Sequence, residues 1–226
     1  MSFSNGPTVV TNGLVLSLDA GDRNSYVSGS TTWFDLAGTN NGTLTNGPTF
    51  NTGSFGSIVF DGVDDYVNIG TTNFSITRDF TVSFWMDITK NGTLQIFNKG
   101  YNSPWGIYID KQQTNVLSCQ LSFSPSGFGQ VDTITQSYSG IKNWVVVRDN
   151  NVMSWYVNGT QNNTGTINTN NIDQSNSKSW RIGGNVDTPG LPNFQGNIYN
   201  QLIYNRALSS TEVLQNYNAQ KSRFGL

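Results

Sequence analysis

The chain has 226 residues, a net charge of −2, and charged residues make up only 12% of it. That length suits a single all-β domain with a sizeable core, and the charge excludes the basic surface of a nucleic-acid binder. The sequence holds no histidine and one cysteine, which removes the usual triad base, any intrachain disulfide and a thiolate zinc cluster. Cys119 alternates with Leu117, Leu121 and Phe123, as a buried thiol in a strand would. No apolar run reaches the roughly 18 residues of a transmembrane helix, so no membrane insertion is expected. The opening M-S-F-S-N-G-P-T lacks the charged and apolar regions of a signal peptide, so synthesis in a cytoplasm is expected.

In chain order, residues 1–12 read as an N-terminal tail and 13–226 as one domain. Leu14 to Ala20 is the first core strand. Residues 22–56 are rich in Gly, Asn, Ser and Thr and read as an ordered loop layer, with Tyr26, Trp33 and Phe34 needing burial. Ser57 to Gly70, S-I-V-F-D-G-V-D-D-Y-V-N-I-G, reads as a hairpin whose tip crowds Asp61, Asp64 and Asp65. Carboxylates so close repel unless turn amides, a cation or water satisfy them.

Phe80 to Ile88 alternates cleanly, with Phe80, Val82, Phe84, Met86 and Ile88 on one face and Thr81, Ser83, Trp85 and Asp87 on the other. Further strands are read at Leu94–Phe97, Trp105–Ile109, Val116–Phe123, Trp144–Val147, Val152–Val157, Ser179–Gly184 and Gly196–Tyr204. Asn158-Gly159 marks a tight hairpin. The chain then carries its one good helix signal, the capping box from Ser209 to Glu212, followed by Val213, Leu214 and Tyr217 at helical spacing. That helix is short, about three turns, and must dock on the sheets to be stable.

Several of these stretches together resemble a known family. F-D-G-V-D-D-Y-V-N-I, the run from Trp33 to Leu44 and W-Y-V-N-G-T are similar to signatures of the laminin-G-like jelly rolls of the concanavalin A-like lectin/glucanase superfamily. The ending I-Y-N-R-A-L-S-S-T-E-V-L-Q-N-Y-N-A-Q-K-S-R-F-G-L resembles such modules in structural proteins of tailed phages. The resemblance implies an antiparallel two-sheet jelly-roll sandwich with one short C-terminal helix. It also implies a calcium site, for which Asp35, Asp61, Asp64 and Asp65 are the available ligands. The Gly38–Gly42 loop is one residue shorter than the family's run, and Tyr199 stands where relatives carry an acid, so a weak or lost cation site is expected.

Catalysis needs a separate test, because the superfamily includes glucanases. Retaining hydrolysis needs two flanking carboxylates, which those enzymes carry as two Glu on one strand. This chain has one glutamate, Glu212, already used by the helix cap, so no enzyme activity is expected. Binding remains: among six Trp and nine Tyr, Trp85, Tyr101 and Trp105 are the candidates for an exposed sugar platform. The expected role is a virion structural protein of a tailed phage, decorating a head or forming a fibre-like surface component, with glycan adhesion. The alternative is a stand-alone carbohydrate-binding lectin. Expected partners are other virion proteins, host-surface glycans and further copies of the chain in a homo-oligomer.

Overall fold

Alternating and continuous apolar runs, interrupted by Gly- and Asn-rich turns, build two antiparallel sheets. The computed structural model describes residues 7–53, 55–99, 107–112, 116–123, 128–133, 138–175, 177–184 and 193–226. In chain order the strands are β1 Leu14–Asp19, β2 Thr32–Trp33, β3 Gly42–Thr45, β4 Thr49–Asn51, β5 Ser57–Asp61, β6 Tyr66–Gly70, β7 Phe80–Ile88 and β8 Leu94–Asn98. Then come β9 Ile107–Lys111, β10 Leu117–Ser122, β11 Phe128–Asp132, β12 Lys142–Asp149, β13 Val152–Val157, β14 Thr160–Thr166, β15 Trp180–Ile182 and β16 Gln195–Tyr204. Helix α1, Ser210–Gln220, runs into a 3₁₀ turn at Lys221–Phe224.

Among the described residues each sheet has eight strands. The first runs β14-β13-β12-β7-β16-β5-β4, with β1 also paired to β16; the second runs β11-β10-β9-β8-β15-β6-β3-β2. β16 is long enough to seat two neighbours on one edge, β5 along Gln195–Ile198 and β1 along Asn200–Tyr204. The expected all-β sandwich with one short C-terminal helix is what forms.

The inner faces meet in one core. Phe80, Val82, Phe84 and Met86 from β7 share one buried cluster with Ile107 and Ile109 from β9 and with Leu16, Leu18 and Trp180. Phe97 stacks on Trp180 with ring centroids 4.8 Å apart. Each such side chain contributes on the order of 2 kcal/mol by leaving water. Cys119 lies fully in this core, and burial pushes its thiol far above the ordinary value, as expected of an inert structural residue. Arg148 also points inward, its guanidinium donating to the carbonyls of Arg78, Asn150, Asn168 and Asn170.

A second layer covers the outside of the first sheet. Val145, Val147, Leu202 and Tyr204 are buried there beneath Leu208 and Val213, with Val9 and Val10 packed alongside. Asn216 ties the layer together, accepting from the Val10 amide at 2.8 Å and donating to the Tyr204 hydroxyl at 3.0 Å. The capping box is complete: the Glu212 amide donates to Ser209 Oγ, and the Ser209 amide donates to Glu212. Glu212 also pairs with Arg206 at 2.6 Å, which holds its carboxyl down to about 2.

Three expectations change. Ser57–Gly70 is not a hairpin: β5 pairs with β4 and β16 in one sheet, while β6 pairs with β3 and β15 in the other. Both flanks read as apolar because each buries a face in the same core, which local pattern cannot tell from mutual pairing. The 22–56 layer contains the short strands β2, β3 and β4, and of its aromatics Tyr26 and Trp33 are buried whereas Phe34 is exposed. Strand β11 was not legible in the sequence, because F-G-Q-V-D offers a single alternation.

Candidate functional site

The link between the sheets holds the acidic group. Gly62 takes φ +79°, letting the chain turn from one sheet to the other. Asp65 Oδ2 accepts the Asp61 amide at 2.9 Å, and Asp61 Oδ1 accepts the Val63 amide at 2.8 Å. Ligand atoms of Asp61, Asp64 and Asp65 lie within 4.8 Å of one another. Burial, with the Asp61 and Asp64 charges beside it, raises the Asp65 carboxyl above the usual range.

A calcium ion takes about six to eight oxygens, so it would also need loop carbonyls. Those of Gly62, Val63 and Asp64 already accept from Lys90, Asn193 and Asn46. The arrangement therefore fits a calcium cage poorly and turn chemistry well. Asp35 belongs to a different network: its Oδ1 accepts the Ser17 and Ala37 amides, each at 2.9 Å, and its Oδ2 accepts the Asn40 amide at 3.1 Å. It staples the 35–41 loop to β1.

Trp85, expected as an exposed platform, is fully covered. It sits on the outer face of β7, but Phe224 stacks on it at 4.4 Å and Tyr217 at 5.7 Å. The alternation placed Trp85 correctly opposite the core; the C-terminal helix then buried that face too. Tyr101 and Trp105 lie outside the described residues.

One carboxyl stands out for its environment. Asp110, on the outer face of β9, is 3% exposed, and burial pushes it up to about 7. Gln112 donates to its Oδ2 at 2.6 Å. A group so covered meets no polymeric substrate, so its shift reads as the cost of burial rather than as poised acid catalysis.

An open concavity lies elsewhere, at the rim beyond the end of β1 and beside β4. A trough of about 690 Å³ is lined from four segments: Ala20, Gly21, Arg23, Tyr26, Val27 and Ser28; Phe50 and Thr52; Phe55 and Gly56; and Arg223. A second hollow of about 370 Å³ continues past Ser28 and Phe50 towards Leu44 and Pro48. Between them stands the Tyr26–Phe50 pair, rings 5.0 Å apart, with the Tyr26 hydroxyl donating to the Ser30 carbonyl at 2.8 Å.

Close backbone contact shapes the floor. A Cβ on Gly21 would lie 2.1 Å from Arg223 Nη2 and 2.2 Å from the Phe55 carbonyl, so no larger residue fits. Phe55 adopts φ +75°, a strained conformation for a bulky residue, and leaves its ring 55% exposed. Arg223 holds it there, donating to the Phe55 carbonyl at 2.6 Å. Phe224 braces the ring edge-on at 6.1 Å. Sequence reasoning missed this site because its lining comes from four separate segments; the signal present was the density of aromatics in a loop layer.

Comparison with known proteins agrees with this architecture. A laminin-G-type family model described as "Concanavalin A-like lectin/glucanases superfamily" matches residues 61–214, more than half of the chain. No curated protein sequence matches. Among solved structures, the binding domain of Paraclostridial Mosquitocidal Protein 1 superposes with a TM-score of 0.74 at 18% identity, over 92% of this chain and 52% of that one. The botulinum neurotoxin serotype G binding domain gives 0.70 at 16% identity, over 92% and 51%. Trypanosoma rangeli sialidase in complex with the inhibitor DANA gives 0.67 at 19% identity, over 95% and 34%. The chain thus spans about half the length of the two binding domains and a third of the sialidase, and at these identities the likeness concerns the fold. By its sequence match and its two antiparallel sheets, the chain belongs to the concanavalin A-like lectin/glucanase superfamily, as a laminin-G-like domain.

Proposed function

We propose that this domain is a non-catalytic glycan-binding module, carried on a tailed-phage virion as a head-decorating or fibre-like structural protein. The observation that supports binding is the rim trough, whose volume falls within the roughly 300–1,000 Å³ of small-ligand sites. Its aromatic wall of Tyr26, Phe50 and the strained, exposed Phe55 offers apolar faces to sugar rings. Two of the superposed structures are toxin binding domains, which favours a binding role on this fold. The non-catalytic reading draws on Glu212 being locked by Arg206 and Ser209, and on the cover over Asp110.

The virion setting rests on the phage-like C-terminal ending. In that setting the protein is made in the host cytoplasm and meets other virion proteins. It assembles as a homo-oligomer through the sandwich surface or its termini, and its trough faces host-surface glycans. An array of immobilised glycans tests the binding half: retention of one glycan class supports it, and no retention by folded protein refutes it. Immunogold labelling of intact particles separates the virion component from a stand-alone lectin.

A further inference from the structure

We propose that the trough takes a sugar ring bearing a carboxylate, an acidic glycan rather than a neutral one; this rests on the glycan-binding reading above. Charge on the lining carries the inference. Two arginines, Arg23 and Arg223, line the larger hollow, and none of its described lining residues is acidic. Asp19 pairs with Arg223, which leaves Arg23 as the lining charge without an ion pair among the described residues.

The two guanidinium groups do different work. Arg223 is a positioning residue: it donates to both carboxylate oxygens of Asp19 and to the Phe55 carbonyl. Its charge is answered by Asp19. Arg23 is exposed and makes no ion pair or side-chain hydrogen bond among the described residues. It is therefore the group free to meet an anion. A planar guanidinium matches a planar carboxylate through two parallel N–H···O bonds, a match that a hydroxyl cannot reproduce.

The trough thus lines one hollow with an unpaired cation and with the exposed Phe55, whose backbone Arg223 anchors at the carbonyl and whose ring Phe224 braces. A sugar acid has the complementary pair of features, an apolar ring face and a carboxylate on its edge. The neighbouring Asp22 forms no ion pair with Arg23; its Oδ1 accepts the Asn24 amide at 2.8 Å as a turn cap.

The test is titration calorimetry with three probes of one size: a galacturonic acid trimer, its carboxyl-reduced galactose trimer, and a sulfated galactose trimer. The galacturonate trimer should bind about tenfold tighter than the reduced one, the order expected of one charge-assisted contact. Arg23→Gln should remove that difference. Phe55→Ala should weaken both. Raising sodium chloride from about 20 to about 500 mM should erode the carboxylate preference. Equal affinity for acidic and neutral trimers would overturn the inference and leave the glycan-binding reading standing. Equal affinity for the sulfated trimer would overturn the carboxylate assignment. Binding of none of the three, with the glycan array also blank, would overturn the glycan-binding reading itself.

Discussion

One nitrogen of Arg223, Nη1, lies 2.7 Å from each carboxylate oxygen of Asp19, joining residues 204 apart in sequence. The contact ties the C-terminal 3₁₀ turn to the end of β1, and the same guanidinium reaches across to the Phe55 carbonyl at 2.6 Å. A single side chain thereby links the chain's last element, its first strand and the strained wall of the trough.

Arg223→Ala should accordingly cost stability as well as shape. Both partners are about one-fifth exposed, so the pair is worth more than a surface ion pair, about 1–2 kcal/mol. For a domain of this size that lowers the melting temperature by several degrees. Calorimetry of the purified variant checks it, and an unchanged melting temperature would count against the structural role assigned to this contact.

Asp110 gives stability a pH dependence of known sign. Its folded value is raised from 3.8 to about 7, chiefly by burial, so the folded protein favours the protonated acid. Stability from this group is fully present below pH 3.8 and is lost as pH rises through about 7. Within that window the slope is at most about 1.4 kcal/mol per pH unit for one group. Asp110→Asn should flatten urea-denaturation midpoints between those values. A variant with the wild-type profile would place the pH dependence on another group.

Trp85→Ala should behave as a core mutation. With Phe224 and Tyr217 stacked on the indole, truncation removes the seat of the C-terminal segment and costs about 3–5 kcal/mol. Chemical denaturation should register that loss. A variant with wild-type stability but reduced glycan binding would restore Trp85 as a platform.

How much of this was legible beforehand follows from the range of the forces involved. β7 was read to its observed ends, Phe80 and Ile88, because alternation is a local signal that burial enforces residue by residue. The Ser209–Glu212 capping box was equally local and forms as read. The sheet membership of β5 and β6 was not legible, since two apolar runs around a glycine look alike whether they pair or part. The cover over Trp85 and the trough were hidden for a related reason. Each depends on the C-terminal turn, whose Phe224 and Arg223 fold back onto β7 and β1. No spacing rule spans that distance.

The acidic turn should respond weakly to metal. With its carbonyls committed to Lys90, Asn193 and Asn46, millimolar calcium should shift the melting temperature by less than about two degrees. A larger calcium-specific rise, abolished by Asp64→Ala, would show that the carboxylates close around an ion despite those bonds.

The central claim is that ligand enters at the rim trough. Backbone and side-chain NMR spectra of the labelled domain, titrated with the glycan that an array selects, test it most directly. The account predicts that perturbed resonances concentrate on Arg23, Tyr26, Val27, Phe50 and Phe55, which line the trough. Perturbations gathered instead on the 61–65 turn or on the outer face of β9 and β10, with the trough resonances unmoved, would contradict it.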